Sequence, residues 1–409
     1  MTELEAEILK WNDSRAAGMP QRLIGWAQIN TGSGNLAGLE RFRGMLRREF
    51  EAIGGTASEI DLPPLETLND RGEVVTTPVG RALSVVKRPV APMRIFLCIH
   101  SDTVYPQDHS FQDCTWVDGK TLQGPGVADA KGGLLVMLTA LAALEQSGEA
   151  GKSWAEKVGW EVLINPDEEI GSIGSAPLLV GAAGRNRFGL LFEPALANGA
   201  MVERRRGSGS FSVIVRGKSA HAGRDFEQGR NALVAMAWLS VALHDLNRQL
   251  DGITLNIGKF EGGGPTNVVP DFGIVRFNVR TSVPEDEVKV MERVRRLVAE
   301  TATRDGIRAE LHGGFHSPPK IPEAKGRILM DLVDDCRKDL NLPIQWVSSG
   351  GACDGNKLSA AGLPNVDTMG PCGGNLHSPS EFVLVDTLAE RAKLAALVML
   401  RLADGRYEL

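Results

Sequence analysis

Short apolar runs alternate with helical patterns along the first half of this chain, and this alternation constrains its fold most strongly. Residues 95–99 are all apolar, as expected of a strand that is buried on both faces of a sheet. Residues 160–164 and 189–192 predict further short buried strands, whereas residues 131–146 carry Leu, Val, Met and Ala at helical spacing. Strands that alternate with helices predict a layered α/β sheet.

The pattern of predicted elements changes from about residue 206. Six elements follow in the order β-α-β-β-α-β, over residues 210–216, 231–250, 253–260, 272–280, 285–303 and 308–312. This order is that of a ferredoxin-like unit, and helices and short strands resume after Pro318-Pro319. Because 409 residues also exceed what one core usually sustains, we expect an α/β/α layered domain at residues 1–205 and 318–409, with a ferredoxin-like domain inserted at 206–317.

Charge and cysteine content exclude several classes of protein. The formal net charge is −6, and without a clustered basic surface the sequence predicts no nucleic-acid partner. Five cysteines without a C-x-x-C pair argue against a disulfide framework or a cysteine-rich zinc site and favour reduced thiols in a cytoplasmic protein. The acidic N-terminus lacks a signal-peptide pattern. No apolar run reaches the roughly 18 residues of a membrane span, so we expect no membrane partner.

Histidine and acidic side chains follow the predicted strands, at the sheet edge where ligands of α/β proteins bind. His100 comes directly after the run at 95–99, and Asp102 lies two positions further on, where its carboxylate can hold the second ring nitrogen of His100. Glu193 ends the run at 189–192. A strand-end histidine with a helix-capping aspartate is the structural alternative for the first pair.

Two further acidic segments point to cations. Asp129 lies where a glycine-flanked turn meets a predicted helix, so that its carboxylate either caps the helix or bridges two cations. The adjacent acids Asp167, Glu168 and Glu169 follow a buried strand and repel one another unless a cation is present. One of them can bind a cation while its neighbour acts as a general base toward water. A solvated turn is the structural alternative.

A late imidazole, His377, lies beyond the glycine-rich segment 370–374, where the backbone can approach a ligand closely. It completes a set of five nitrogen and oxygen ligands: His100, Asp129, Glu169, Glu193 and His377. This mixed set favours a pair of zinc ions over calcium or magnesium, which prefer oxygen ligands alone. Cobalt or manganese can occupy such sites where they are available.

Six motifs, in order along nearly the whole chain, resemble the zinc exopeptidase family of glutamate carboxypeptidase, acetylornithine deacetylase, succinyl-diaminopimelate desuccinylase and aminoacylase. They are His-Ser-Asp-Thr-Val, Asp-Ala-Lys-Gly-Gly, Asp-Glu-Glu-Ile-Gly, Phe-Glu-Pro, Gly-Lys-Ser-Ala-His-Ala-Gly and Gly-Gly-Asn-Leu-His-Ser. The resemblance implies a glutamate-carboxypeptidase-like enzyme that cuts an amide bond beside a free carboxylate of a small peptide or N-acyl amino acid. It also implies that the inserted domain is a lid and the interface of a homodimer.

The resemblance assigns the ligands to two zinc ions. His100 and Glu193 would hold one ion. Glu169 and His377 would hold the other, and Asp129 would bridge the two.

Catalytic roles follow from the same resemblance. Asp102 would orient His100, and Glu168 would be the general base and later the proton donor. His221 matches the family histidine that reaches the active site of the partner subunit and stabilises the developing oxyanion. A loop residue of an inserted lid would lie far from the zinc ligands of its own chain, which also favours a dimer.

Substrate contacts are implied for Asn267, Arg280 and Gly373. Arg280 would grip the terminal carboxylate of the substrate with both guanidinium nitrogens. The segment Asn278-Val279-Arg280 departs from the more usual Asp-x-Arg of the family.

Two other classes of enzyme lack their motifs in this sequence. Ser219 near His221 lacks the second glycine of a G-x-S-x-G serine hydrolase motif, and Gly262-Gly263-Gly264 is not followed by the Gly-Lys of a phosphate loop. An N-acyl amino acid deacylase stays open, because the same zinc chemistry serves it. A non-catalytic metal-dependent binding protein also stays open, although it would have no use for Glu168 beside a ligand.

Overall fold

The computed structural model describes residues 1–405 and 407. The strands are β1 (Thr56–Ile60), β2 (Leu65–Leu68), β3 (Val74–Thr77), β4 (Ala82–Lys87), β5 (Met93–His100), β6 (Thr115–Trp116), β7 (Thr121–Gln123), β8 (Val158–Asn165), β9 (Phe188–Leu191), β10 (Ala195–Leu196), β11 (Met201–Arg205), β12 (Gly207–Arg216), β13 (Ala220–His221), β14 (Thr254–Gly262), β15 (Val268–Val269), β16 (Phe272–Thr281), β17 (Arg308–Ser317), β18 (Trp346–Ser349), β19 (Asn365–Val366), β20 (Cys372–Gly374) and β21 (Phe382–Leu384). The helices are α1 (Glu3–Ala16), α2 (Met19–Ala27), α3 (Leu36–Ala52), α4 (Lys131–Gln146), α5 (Gly148–Lys157), α6 (Ala176–Ala183), α7 (Ala232–Gln249), α8 (Pro284–Ala302), α9 (Ala324–Asp339), α10 (Asp354–Ala360) and α11 (Asp386–Ala403).

The central sheet has six strands in the order β1-β4-β8-β5-β9-β19. Strands β8, β5, β9 and β19 are parallel, and β4 and β1 extend one edge in antiparallel fashion. Successive side chains of β5 enter different cores, because Ile95, Leu97 and Ile99 pack with α4 and α11 whereas Phe96 and Cys98 pack with α6 and α10. Helices therefore cover both faces of the sheet, which confirms the predicted α/β/α layering.

A second sheet, in the order β10-β20-β21-β7-β6, brings two distant loops together. β7 leads into the turn before α4, and β21 begins directly after the loop that follows β20. The two strands are antiparallel neighbours, with Phe382 opposite Gln123. This pairing places the turn at 124–130 beside the loop at 375–381.

The predicted ferredoxin-like unit forms a four-stranded antiparallel sheet in the order β14-β16-β12-β17. Helices α7 and α8 pack on one face of this sheet and share a core with residues such as Phe211, Val275 and Val294. The backbones of Arg205 and Lys320 form an antiparallel bridge where the chain enters and leaves the unit. We call this unit the lid. The domain limits at 205/206 and 317/318 stay predictions.

Local features determine where two elements begin or end. Helix α3 begins at Leu36 because the Asn35 side chain caps it by accepting a hydrogen bond from the Gly38 N–H at 3.1 Å. Strand β4 ends at Lys87, and Arg88 then adopts a positive φ of 52°. Among the described helices, none combines the length and the apolar character that a membrane crossing requires.

Candidate active site

Three parallel strands deliver predicted ligands to the same edge of the central sheet. β5 ends at His100, β8 is followed by Glu168 and Glu169, and β9 is followed by Glu193. The carboxyl ends of parallel strands meet at one edge, and these four side chains accordingly converge there. Local sequence and sheet topology therefore act together in building the site.

Asp129 lies between the two imidazoles. Its Oδ1 is 2.9 Å from His100 Nε2, and its Oδ2 is 3.4 Å from His377 Nε2. The helix-cap alternative for Asp129 is wrong, because α4 has Ala130 at its N-cap and no side-chain cap. Each carboxylate oxygen instead faces a different histidine.

The remaining predicted ligands lie at the two ends of this arrangement. Glu193 Oε2 is 3.9 Å from His100 Nε2, and Glu169 Oε2 is 3.1 Å from His377 Nε2. Ligand atoms of His100, Asp129 and Glu169 all lie within 4.8 Å of one another. His377 is the open side of the group, with 55% of its side chain exposed, whereas His100 is buried.

Asp167 does not join its two acidic neighbours, which corrects the expectation of three mutually repelling carboxylates. Its Oδ2 accepts hydrogen bonds from the backbone N–H groups of Gly174 and Ser175, and its Oδ1 accepts one from the Ser175 hydroxyl. The turn after β8 points Asp167 away from Glu168 and Glu169. Only the latter two carboxylates belong to the site.

The Asp102 carboxylate has a broader set of partners than the sequence indicated. The Nδ1–H of His100 donates to the main-chain oxygen of Asp102 at 2.9 Å, and the nearest carboxylate oxygen is 3.4 Å away. The carboxylate also accepts the backbone N–H groups of Glu168 and Glu169, at 3.1 and 3.2 Å, and the Ser33 hydroxyl at 2.8 Å. Because a carbonyl oxygen can only accept, Nε2 of His100 is left to face Asp129.

The electrostatics of the group fit a cation. Burial raises the pKa of Glu193 to about 8, and burial also raises the pKa of Glu169 and holds that of Glu168 well above its usual range. The Asp129 pKa stays well below its usual range despite burial, because both imidazoles contact it. The hydrogen bonds of His377 to Asp129 and, second, to Glu169 raise the pKa of His377 to about 11. Crowded carboxylates that resist ionisation are stabilised as anions by bound metal ions.

Glycines let the loop before His377 pass close to the site. A Cβ at Gly373 would lie 2.4 Å from the Phe382 carbonyl oxygen and 2.8 Å from the Cβ of Ala128, and one at Gly370 would lie 2.3 Å from the Phe192 oxygen. Gly373 is thus in contact with the turn that carries Asp129. His377 itself adopts a positive φ of 59°.

His221 and Asn267 lie together in the lid. Strand β13, which ends at His221, pairs with β15, and the Asn267 carbonyl accepts the Ala222 N–H at 2.9 Å. Both side chains belong to exposed residues. Within the described part of the chain, His221 contacts other lid residues such as Gly223 and Val268. Neither side chain joins the ligand group of its own chain.

Arg280 lies on β16, and its Nε donates to Asn278 Oδ1 at 2.9 Å. Asn278 therefore holds the guanidinium by a hydrogen bond where the family pattern has an aspartate. His316 and Lys357 lie near Arg280. Burial first, and then the charges of Lys357 and Arg280, lower the pKa of His316 to about 4. A Cβ on Gly171, two residues after Glu169, would lie 3.5 Å from His316 Nδ1.

Two cavities flank Glu169. A cleft of about 940 Å³ lies between the loop at 170–173 and the lid, and Asn278, His316 and Lys357 are part of its lining. A second cavity of about 560 Å³ is lined by Ser33, Thr103 and Glu169 itself. The acidic group thus has space for a ligand on both sides.

Sequence reasoning missed Glu381. This buried carboxylate accepts hydrogen bonds from three backbone N–H groups of the turn at 126–129 and from the Tyr105 hydroxyl. Burial, and next the charge of Asp129, raise its pKa to about 7. Its position four residues after His377, directly before the apolar residues Phe382 and Val383, was the only signal in the sequence.

The chain is similar to known proteins over most of its length. A model of peptidase family M20/M25/M40 matches residues 96–401. The chain is 24% identical over 391 residues to carboxypeptidase G2 of Pseudomonas sp. (strain RS-16), which covers 92% of this chain and 88% of that protein. It is 24% identical over 287 residues to succinyl-diaminopimelate desuccinylase of Hahella chejuensis (strain KCTC 2396), covering 67% and 72% of the two chains.

Solved structures share the fold. Aminopeptidase PepT from Bacillus cereus ATCC 10987 superposes with a TM-score of 0.73 at 22% identity, over 95% of this chain and 99% of that chain. At this identity the likeness concerns the fold alone.

Proposed function

Since this chain belongs to peptidase family M20/M25/M40 and is a hydrolytic enzyme, we propose that it is a two-cation amidohydrolase that cleaves an amide bond beside a free carboxylate. The family resemblance read from the motifs is thereby confirmed. The observation that carries the proposal is the position of Asp129, whose two carboxylate oxygens face His100 and His377 separately at 2.9 and 3.4 Å. A carboxylate between two imidazoles suits a bridge between two cations.

We propose the following assignment of ligands. His100 and Glu193 hold one cation, which is supported by their 3.9 Å approach. Glu169 and His377, 3.1 Å apart, hold the second. Asp129 is shared. The nitrogen and oxygen donor set favours zinc, with cobalt or manganese as substitutes.

The chain's own residues then have distinct tasks. Bound cations would supply Lewis acidity toward the amide carbonyl and a lowered pKa for water. Glu168 takes a proton from water on a carboxylate oxygen and later gives it to the leaving amine. Its raised pKa suits both acts, because a carboxyl that titrates nearer neutrality can accept and return a proton. Asp102 holds the backbone of Glu168 and Glu169 through their N–H groups.

The carboxylate of the substrate is proposed to bind Arg280 from the 940 Å³ cleft, whose lining includes the Arg280 partner Asn278. Supporting this, Lys357 and His316 line the cleft, and the charges of Lys357 and Arg280 both act on His316. Gly171, two residues after Glu169, lies beside His316, because a Cβ there would be 3.5 Å from its Nδ1. Arg280 binds the carboxylate, and Asn278 fixes the direction of the guanidinium. Asn267 and Gly373 are proposed as further substrate contacts, on the lid and on the His377 loop.

A homodimer completes the proposal. The exposed side chains Val234, Trp238 and Val241 lie on one face of α7 at helical spacing, with exposed fractions of 44%, 54% and 63%. β14 is an edge strand of the lid sheet and offers backbone groups for pairing. Lid-to-lid contact through this face would let the partner subunit's His221 reach the ligand group and stabilise the oxyanion.

A reducing compartment suits the thiols. The five cysteines are free, and burial holds the pKa of Cys98 and of Cys353 well above the usual range. Such thiols are inert. We therefore propose a cytoplasmic enzyme.

The proposal is tested by assaying chelator-stripped and zinc-reloaded protein on an N-acyl-glutamate, an N-succinyl diamino acid and a neutral N-acyl amide. We expect hydrolysis of the acyl-glutamate, lost on stripping and restored by zinc, and little turnover of the neutral amide. Preference for the succinylated substrate would favour the deacylase alternative, which the desuccinylase relative supports. A folded, zinc-loaded protein that hydrolyses none of them would contradict the proposal and favour a binding protein.

A further inference from the structure

Glu381 is a buried carboxylate with four hydrogen-bond donors. Among the described residues it forms no ion pair, although the buried Lys131 ammonium interacts with it electrostatically. Its Oε1 accepts the backbone N–H groups of Ala128 and Asp129, at 2.9 and 3.0 Å. Its Oε2 accepts the Gly126 N–H at 3.1 Å and the Tyr105 hydroxyl at 2.9 Å. The side chain is 1% exposed. Such a set of inward N–H groups is an anion-binding concavity of the backbone.

The donors come from the segments that carry the proposed ligands. Three of them belong to the turn that ends at Asp129, and one of these is the N–H of Asp129 itself. Tyr105 follows the His100 segment by five residues, and its hydroxyl also lies 2.9 Å from the Ser378 carbonyl oxygen, next to His377. Glu381 thus connects the three segments that supply His100, Asp129 and His377.

Strand pairing explains this position. The Gly124 N–H donates to the main-chain oxygen of Glu381 at 3.1 Å, extending the ladder between β7 and β21. The turn after β7 and the loop before β21 are therefore held next to each other by this hydrogen bond. From there the side chain of Glu381 reaches under the turn and occupies its N–H groups.

We infer that Glu381 is a positioning residue that holds the Asp129 turn, and through it the bridging carboxylate, at the distance from His100 and His377 that two cations require. The inference rests on the proposed function. Partners behind a metal ligand orient it, and their loss typically weakens metal binding by about 10- to 100-fold. A role in folding alone would lower stability without this effect on affinity.

The amide variant Glu381→Gln tests the inference because its NH₂ group opposes at least one backbone N–H in either orientation. In place of Oε1 it opposes the N–H groups of Ala128 and Asp129. In place of Oε2 it opposes the Gly126 N–H, although the Tyr105 hydroxyl can turn to donate to the Ser378 carbonyl and accept from the NH₂ group. Glu381→Asp keeps the charge and should recover part of the affinity. Tyr105→Phe removes one donor of the four and should have a smaller effect than Glu381→Gln.

A matched control is Glu161→Gln. Glu161 is also a buried carboxylate, but its donors are Arg94, Arg185 and Asn186. It should lower the free energy of unfolding without changing cation affinity.

The experiment measures zinc affinity by competition with a chromophoric chelator, together with the unfolding midpoint of the stripped protein, for each variant. About 10- to 100-fold weaker binding in Glu381→Gln, with unchanged affinity in Glu161→Gln, supports the inference. If the wild-type chain binds two cations and the folded Glu381→Gln variant binds them with unchanged affinity, the inference is overturned and the proposed function stands. If Glu381→Gln does not fold, Tyr105→Phe decides: weaker binding supports the inference and wild-type affinity overturns it. A wild-type chain that binds fewer than two cations overturns the proposed function and this inference together.

Discussion

The ligand group and the lid contrast in how they place the side chains that the sequence assigned to one site. His100, Asp129, Glu169, Glu193 and His377 come from distant segments, yet neighbouring ligand atoms lie between 2.9 and 3.9 Å apart. His221 and Asn267 are exposed lid residues on neighbouring segments, joined by the β13–β15 pairing and by the Ala222 N–H to Asn267 carbonyl hydrogen bond. The five proposed ligands converge within one chain, whereas the two lid residues do not contact them.

This difference follows from what positions each set. The proposed ligands lie at strand ends and in loops of two sheets of the same domain. The fold of that domain therefore determines the distances between them. The lid residues depend on how the lid sits over the domain and on a second subunit, and neither is encoded in a local motif. Variants of each region therefore have different expected effects.

The largest effect is expected for Glu168→Gln. The amide is close in shape but cannot accept a proton from water, so kcat should fall by about 10²- to 10⁴-fold while both cations remain bound. Steady-state kinetics and metal analysis of the same sample measure the two quantities. Glu149→Gln, an exposed glutamate on α5, is the control and should match the wild type. Near-normal turnover in Glu168→Gln would assign the base to another residue.

The next effect is expected for His221→Ala, which should lower kcat by about 10²- to 10³-fold, the usual contribution of an oxyanion donor, and leave the cations bound. Mixing His221→Ala with Glu168→Gln and re-forming dimers sharpens the comparison. Each mixed dimer holds one intact site, so about a quarter of all sites should recover if chains pair randomly. Subunit exchange without recovery would mean that His221 does not act across the dimer.

A smaller effect is expected for Arg280→Ala. Loss of a hydrogen-bonded ion pair of about 1.5–3 kcal/mol should raise KM for carboxylate substrates by about 10- to 100-fold. Arg280→Lys should recover little, because an ammonium cannot bind a carboxylate with two parallel hydrogen bonds. A neutral N-acyl amide serves as the internal control. Equal losses on both substrates would remove the carboxylate-binding role.

Much of the fold was predictable, and so was the convergence of the five proposed ligands, because each of them ends or follows a recognisable strand or turn. The partners of Asp167 and Asp102 were not, since they depend on which way a turn directs each carboxylate after β8 and β5. Glu381 escaped because its donors lie about 255 residues earlier in the chain and meet it only through the β7–β21 pairing. The distance of His221 from the site was not predictable, because in the proposed dimer it depends on the position of a second subunit.

The smallest effect concerns a lid carboxylate with no proposed role. Burial raises the pKa of Glu287 to about 7, and its Oε1 lacks a hydrogen bond among the described residues. An acid with a raised folded-state pKa stabilises the fold least above that pKa, so stability should fall as pH rises from about 4.5 to 7. Glu287→Gln should be more stable than wild type at pH 8 by about 1 kcal/mol, a figure reduced for partial exposure, and equal to it near pH 4. Denaturant titrations at both pH values, with exposed Glu292→Gln as control, measure this. If Glu287→Gln is no more stable than the wild type at pH 8, the raised pKa of Glu287 does not lower stability. The contrast with Glu168, whose raised pKa is proposed to serve catalysis, would then be lost.

The central claim is that the ligand group binds two cations with Asp129 between them. Its most direct test is the zinc content of stripped, reloaded and gel-filtered protein, measured by plasma mass spectrometry for the wild type and for Asp129→Ala. The account predicts two zinc ions per wild-type chain and a loss of at least one in Asp129→Ala, since two nearby cations need an anion between them. One zinc ion or none in the folded wild-type chain, or two retained in Asp129→Ala, would contradict it.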